Sequence, residues 1–306
     1  MKILAGSTNQ AFARNLANRL QIPMISREIV TFADGETRVR IGDSVQDEQV
    51  IFVQSLAGLV NDYLIETLLL IDALKDHGVK EVIGVFPYLA YARQNKAHRP
   101  GEGVSAQTVA KLLEQVGVSK LITYDIHALN ALSYFSIPTI NTSVLPVLMQ
   151  KLIVHVGDEQ RNSLVVVAPD QDGTKRAKDA ADKLGLPHAF VEKERDLETV
   201  DTLKEIHGQK VVGEVAGKIA ILADDIISTG NTLVQAGRHL KETGVEKVYA
   251  AVTHGLFSKG FDNLVKQKDI EKIYISDSVY HPNLPPQIEV VSTIDTAASI
   301  LQQNVG

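Results

Sequence analysis

Short apolar runs rich in Val and Ile recur along this chain, each followed by a longer amphipathic run, and no other feature restricts the possible folds as much. The short runs are Met1–Ala5, Gln49–Gln54, Glu81–Pro87, Lys120–Tyr124, Ser163–Ala168, His188–Val191, Lys218–Ala223, Lys247–Thr253 and Lys272–Ser276. Their length and β-branched content predict strands. They lack the strict polar–apolar alternation of a sheet with one wet face, so they are predicted to be covered on both faces and to pair in parallel. Asn9–Leu20, Asp62–Asp76, Ala106–Val116, Leu145–His155, Thr174–Leu184 and Thr232–Glu242 carry helical patterns between them. Strands and helices in this alternation make an α/β fold with mainly parallel sheets.

One stretch occurs twice. LKDHGVKEVIGVFPY begins at Leu74 and LKETGVEKVYAAVTH at Leu240, and this offset of 166 residues exceeds half of the 306-residue chain. Each copy reads as a helix end, a Gly suited to a left-handed cap, then a strand. The spacing predicts two copies of one domain fold, residues 1–143 and 144–306, with the boundary near Thr142–Leu145. A last helix, about residues 292–303, can pack on either half, the N-terminal one included.

Composition narrows the chemistry. The chain contains no cysteine, which excludes disulfides, thiolate catalysis and thiolate metal sites and fits a cytoplasmic setting. No run reaches the roughly 18 apolar residues of a membrane span. Glu66 and Asp72 interrupt the best candidate. A net charge of −6 argues against non-specific nucleic-acid binding. Polyphosphate substrates would therefore need cations and backbone N–H donors gathered locally.

KIAILADDIISTGNTL, Lys218 to Leu233, supplies such a place. A buried strand ends in Asp224 and Asp225, and Ser228, Thr229, Gly230, Asn231 and Thr232 lead into a helix starting near Thr232. Hydroxyls and N–H groups at a helix N-terminus cradle phosphate. Two carboxylates at a strand's end can accept hydrogen bonds from a vicinal diol such as ribose O2 and O3. A metal pair and a solvated loop remain open alternatives from these residues alone.

This segment resembles the ribose-phosphate loop of phosphoribosyltransferase-fold proteins. The whole chain resembles the ribose-phosphate diphosphokinase (phosphoribosyl pyrophosphate synthetase) family. The motifs stand in the family's order: FADGE at Phe32–Glu36, YARQ at Tyr91–Gln94, DIH at Asp125–His127, VVVAPDQDGTKRA at Val165–Ala177, EKER at Glu192–Arg195, then ADDIISTGNT. The resemblance implies two tandem phosphoribosyltransferase-type domains. It also implies transfer of a diphosphoryl group from Mg²⁺-bound ATP to ribose 5-phosphate.

Read alone, FADGE is a turn in which Gly35 takes a positive φ. The resemblance makes Phe32, Asp34 and Glu36 an adenine pocket serving a neighbouring subunit, within a dimer-based homo-oligomer that can extend to a hexamer. Arg93 and Gln94 are read as ATP contacts, the Arg as a planar fork to phosphate oxygens. His127 and Asp170 are expected around the metal and the ATP phosphates. Asp170 directly follows VVVAP, where an open α/β sheet presents its ligand-binding edge. Asp170, Gln171, Asp172, Gly173 and Thr174 form the expected diphosphate loop. Lys193 and Arg195 are the expected catalytic cations on a polar flap reaching to Gly217.

The chain departs from the family pattern at several points. Asn95, Lys96, Ala97 and His98 replace an Asp-Arg-Lys or Asp-Lys-Lys run, and Gly101 stands roughly where a regulatory Arg is frequent. Asp172 replaces a Gly, a liability that Lys175 and Arg176 in the next helical turn are expected to offset. Ser228 replaces an Asp. Asn231 replaces a Gly and is expected to take the left-handed conformation after Gly230. IISTG and THGLF, at Thr253–Phe257, resemble archaeal-type members. A non-catalytic family member that regulates a partner by co-assembly is the alternative reading. A simple phosphoribosyltransferase would leave FADGE, YARQ and the second α/β half unexplained.

Overall fold

The computed structural model describes residues 1–193 and 209–304. The chain divides into two compact units. The first holds β1 (Lys2–Ala5), α1 (Gln10–Leu20), β2 (Arg27–Thr31), β3 (Thr37–Ile41), β4 (Gln49–Val53), α2 (Val60–Asp76), β5 (Glu81–Phe86), α3 (Ser105–Val116), β6 (Val118–Tyr124) and β7 (Thr139–Thr142). Its main sheet is parallel, in the order β1-β4-β5-β6-β7, and β2 and β3 form a separate antiparallel hairpin.

The second unit holds α4 (Leu145–Val156), β8 (Leu164–Ala168), α5 (Thr174–Leu184), β9 (His188–Lys193), β10 (Gln209–Val212), β11 (Ile219–Ile227), α6 (Asn231–Glu242), β12 (Lys247–Gly255), α7 (Asp262–Lys266), β13 (Lys272–Ser276) and β14 (Ile288–Val291). Its sheet runs β10-β9-β8-β11-β12-β13-β14 and is parallel except at the β9–β10 edge. All five residues of β8 are buried, as are the first five of β11, so helices must cover both faces. Val165, Val167, Ala220, Leu222, Val248 and Ala250 form the centre of that core.

The two units repeat one plan. A strand and helix (β1, α1 or β8, α5) lead to an antiparallel pair (β2–β3 or β9–β10). The chain then re-enters the sheet as β4 or β11, and a helix (α2 or α6) carries it to β5 or β12. The repeated stretch closes both helices alike. Val79 N–H donates to Leu74 O and Val245 N–H to Leu240 O, each at 3.1 Å, with Gly78 at φ 77° and Gly244 at φ 86°. This is the Schellman closure the two glycines signalled.

The units are not consecutive halves. Asp277–Tyr280 and the chain from Ser292 onward belong to the first unit, so residues 144–306 do not form the second unit alone. Asn9 Nδ2 donates to Asp277 O at 2.7 Å and to Ser278 O at 3.1 Å, which draws that segment in. The final helix, α8 (Ile294–Asn304), buries Ile294, Ala297, Ala298, Ile300 and Leu301 and packs against α1. The strands absent from the sequence reading are β2, β3, β7, β10 and β14, four or five residues each. β10 also occupies part of the stretch expected to be a continuous polar flap. Among the described residues no helix is long and apolar enough to cross a membrane.

Candidate active site in the second unit

β11 places the acidic pair. Leu222 lies in register with Val167 of β8, so Asp224 and Asp225 stand just beyond the carboxyl end of that neighbouring strand. β8 leads through a short turn into α5, whose first turn brings Arg176 over the acids. Arg176 Nη1 lies 3.2 Å from Asp224 Oδ1 and 3.0 Å from Asp225 Oδ1. The Asp225 N–H also donates to Asp224 Oδ1 at 2.9 Å. Burial, and next the Asp225 charge, push the Asp224 carboxyl well above the ordinary carboxylate range, while Arg176 pulls it down. One guanidinium cannot balance two adjacent carboxylates in a largely buried place, so the cation softens the shift without cancelling it. Arg176 is therefore engaged with the acids rather than offsetting Asp172.

The loop after the acids ends at Gly230, which takes the left-handed conformation at φ 81° and leads into α6 without a side-chain cap. Unsatisfied N–H groups at a helix start are an anion site. Asn231 does not take the expected left-handed conformation: it is the first residue of α6. Its Oδ1 accepts from Asn263 Nδ2 at 2.7 Å, and Leu264 of the same short helix backs Gly230. The Ser258 N–H donates to Ser228 O at 2.9 Å, and their hydroxyls lie 3.1 Å apart. THGLF supplies this second wall. Phe257 takes φ 46° and packs edge-on against Phe261 and His281, and His281 contacts Gly255 O through Nε2 at 2.6 Å. Ser258 and Asn263 are the neighbours that sequence reasoning missed, and Arg176 was given a different partner.

The turn between β8 and α5 carries Asp170, Gln171, Asp172, Gly173 and Thr174. Asp170 Oδ1 accepts the Gly173 N–H at 3.0 Å, while Gln171 and Asp172 are exposed. Gly173 has an ordinary φ of −78°, and an added Cβ would meet nothing nearer than Asp170 Oδ1 at 3.6 Å. The fold itself does not require glycine there. A ligand approaching the backbone would. Thr174 Oγ1 is buried without a hydrogen-bond partner in this turn.

Mg²⁺ takes oxygen ligands, retains water and commonly arrives with substrate phosphates. The Asp170 carboxylate, half-buried and fixed by the turn, fits that role. Among the described residues no group of three or more His, Asp or Glu forms a protein cage.

Lys193 ends β9, opposite Gln209 of β10. Arg195 lies outside the described residues. In the first unit, FADGE is the tip of the β2–β3 hairpin. Gly35 has φ 95°, the Phe32 N–H donates to Glu36 O at 2.8 Å, and the Glu36 N–H donates to Asp34 Oδ1 at 3.2 Å. Phe32 is 46% exposed, with the Arg38 guanidinium 5.9 Å from its ring centre. Beyond β5, Tyr91 takes φ 66°, Arg93 is exposed, and Gln94 accepts from Ser105 Oγ. Beyond β6, buried Asp125 takes φ 32° and His127 is exposed.

The first unit's counterpart of the acidic ledge is filled by its own side chains. Gln54, where the other unit has Asp224, accepts from Thr8 Oγ1 at 2.7 Å and donates to Glu66 Oε1 at 2.9 Å. Its amide leaves no room for a side chain at Gly6. The paired carboxylates thus stand in one copy of the plan, and an amide engaged with its own neighbours stands in the other.

Known proteins resemble this chain along nearly its whole length. The model of the N-terminal domain of ribose phosphate pyrophosphokinase matches residues 1–117, and that of the phosphoribosyl transferase domain matches residues 147–283. A ribose-phosphate pyrophosphokinase of Thermosipho africanus is 37% identical over 294 residues, 95% of this chain and 90% of that protein. This chain belongs to the ribose-phosphate pyrophosphokinase family. The family likeness extends to Schizosaccharomyces pombe, whose ribose-phosphate pyrophosphokinase 2 is 32% identical over 99% of this chain and 92% of its own length. A crystal structure of phosphoribosylpyrophosphate synthetase from Mycobacterium smegmatis matches with a TM-score of 0.88 at 30% identity, covering 98% of this chain and 97% of that one.

Proposed function

We propose that this chain is a ribose-phosphate diphosphokinase, transferring the β,γ-diphosphoryl group of Mg–ATP to O1 of ribose 5-phosphate. The products are 5-phosphoribosyl 1-diphosphate and AMP. The reading is carried by one observation: a carboxylate pair and an uncapped helix N-terminus lie at the two ends of one short loop. A sugar phosphate presents the matching pair of groups, a diol and an anion, on one molecule.

Asp224 and Asp225 accept from the ribose hydroxyls. Ser228, Thr229, Gly230 and Thr232 hold the 5-phosphate, with Asn231 contributing backbone N–H. The sugar's O1 attacks the β-phosphorus in line, the bond from that phosphorus to the α,β-bridging oxygen breaks, and AMP leaves. Positioning and charge neutralisation lower this barrier more than covalent chemistry does. Asp170 and His127 are the residues proposed to hold bound Mg²⁺, which would neutralise phosphate charge. Arg93 and Gln94 contact ATP, and Gln171, Asp172, Gly173 and Thr174 line its diphosphate. Phe32, Asp34 and Glu36 receive adenine from a neighbouring subunit of a homo-oligomer, and Lys193 and Arg195 stabilise the departing charge. Cytoplasmic residence belongs to the same proposal, supported by a chain without cysteine.

AMP release from ATP and Mg²⁺, with and without ribose 5-phosphate, tests it. Sugar-dependent AMP formation is expected. Absence of turnover in several buffers, phosphate included, would favour the non-catalytic regulatory member instead. Lys193→Ala should lower kcat by about 100-fold or more while changing ribose 5-phosphate binding by less than about threefold. Equal losses in both would contradict a transition-state role.

A further inference from the structure

We propose that Arg176 is the positioning residue of the sugar subsite: its Nη1, set between Asp224 Oδ1 and Asp225 Oδ1, holds both carboxylates in place and supplies the counter-charge that lets both face a diol as acceptors. The inference rests on the sugar-binding reading above and names the group that makes the acidic ledge usable. The distances are 3.2 and 3.0 Å, and the side chains of Arg176, Asp224 and Asp225 are only 19%, 15% and 4% exposed. Two adjacent carboxylates so enclosed repel each other and lose hydration, and their cheapest escape is to take up a proton. A protonated carboxyl turns one acceptor oxygen into a donor and disorders the ledge. A cation between the two opposes that uptake and ties both to the first turn of α5.

Other ionisable groups among the described residues lie on the elements around this pair. Asp170 follows the adjoining strand β8, and the other neighbour, β12, carries the buried His254. The remaining ionisable residues of α5 lie elsewhere along it, Lys178 pairing with Asp182. α6 starts with Asn231, Thr232, Leu233 and Val234, none of them charged, and Lys151 of α4 pairs with Glu289. Among the described residues, Arg176 is bonded to both acids.

Removing the cation removes an influence that lowers the carboxyl pKa. The Asp224 carboxyl then titrates at higher pH, and activity that needs it ionised is lost sooner as pH falls. For Arg176→Met, KM for ribose 5-phosphate should rise about tenfold or more while kcat at saturation changes less than about threefold. The acid limb of kcat/KM for the sugar should move to higher pH. Arg176→Lys should recover most of the affinity and leave the limb in place, which a purely structural role would not require. Thermal unfolding and KM for ATP are measured alongside. If Arg176→Met does not fold, Arg176→Gln against Arg176→Lys gives the same comparison. Equal damage to KM and kcat with an unmoved acid limb would overturn the proposal. So would Asp224→Asn raising the sugar's KM while Arg176→Met leaves it unchanged. If Asp224→Asn itself leaves sugar affinity intact, the sugar-binding reading fails, and the role of Arg176 with it.

Discussion

An added methyl group should have opposite consequences at two glycines of the second unit. Gly230 needs to be glycine for the fold: its φ is 81°, and a Cβ would come within 2.7 Å of Leu264 Cγ. Gly230→Ala should cost about 1–3 kcal/mol of stability, read as a fall in Tm, with loss of sugar-phosphate binding following from it. Gly173 has φ −78° and room for a Cβ. Gly173→Ala should leave Tm unchanged or slightly raised, because the substitution restricts the unfolded chain without straining the folded one. Yet KM for MgATP should rise about tenfold if backbone and phosphate meet there. A parallel loss of Tm and affinity in both variants would remove the case for a phosphate contact at Gly173. At this scale the sequence was most legible where partners are adjacent, as in Asp224–Asp225 and the loop to Thr232. The pairing of Arg176 with the acids was not legible, because they lie 48 and 49 residues on and the β8–β11 pairing brings them together. Asn231 was misread because the left-handed turn is completed one residue earlier, at Gly230.

The strands and helices with continuous apolar runs or strong amphipathic faces were readable almost to their ends, since burial on both faces writes itself as Val and Ile. Edge elements were not. Thr37–Ile41 alternates charged and apolar residues over only five positions, with the burial pattern of a half-exposed ribbon, and its strand character depends on pairing with Arg27–Thr31. Gly35 marked the turn without announcing the strands on either side. Such a hairpin is marginal by itself, and α2 packs against β3 to hold it. The consequence can be tested at its tip. Phe32 is exposed, so Phe32→Ala should change stability by less than about 0.5 kcal/mol in chemical denaturation. If the tip receives adenine, KM for ATP should nevertheless rise about tenfold, with KM for ribose 5-phosphate unaffected. An unchanged KM for ATP would reduce FADGE to a surface turn.

For the molecule as a whole, the duplicated plan conceals an asymmetric chain path that no periodicity signals. The chain leaves the first unit after Thr142 and returns twice, for Asp277–Tyr280 and then from Ser292 onward. The return is held more by apolar burial than by charge. Arg19 and Asp295 lie 2.6 Å apart, but their side chains are 52% and 86% exposed, and such a pair is worth at most about 1 kcal/mol. Ile294, Ile300 and Leu301 are each at most 8% exposed. At about 1.5–3 kcal/mol apiece they contribute roughly 5–9 kcal/mol, an upper estimate, against the 5–15 kcal/mol that usually holds a domain together. A chain ending at Val291 should therefore lose the calorimetric transition of the first unit or have it lowered by more than about 10 °C. Residues 1–142 alone should unfold without a cooperative transition. Leu301→Ala should cost about 2–4 kcal/mol, whereas Arg19→Ala should cost less than about 1 kcal/mol. Cooperative, native-like unfolding of residues 1–142 alone would mean that the last helix decorates the first unit rather than completing it. Equal losses for Leu301→Ala and Arg19→Ala would place the stabilisation in the ion pair, against the argument from exposure.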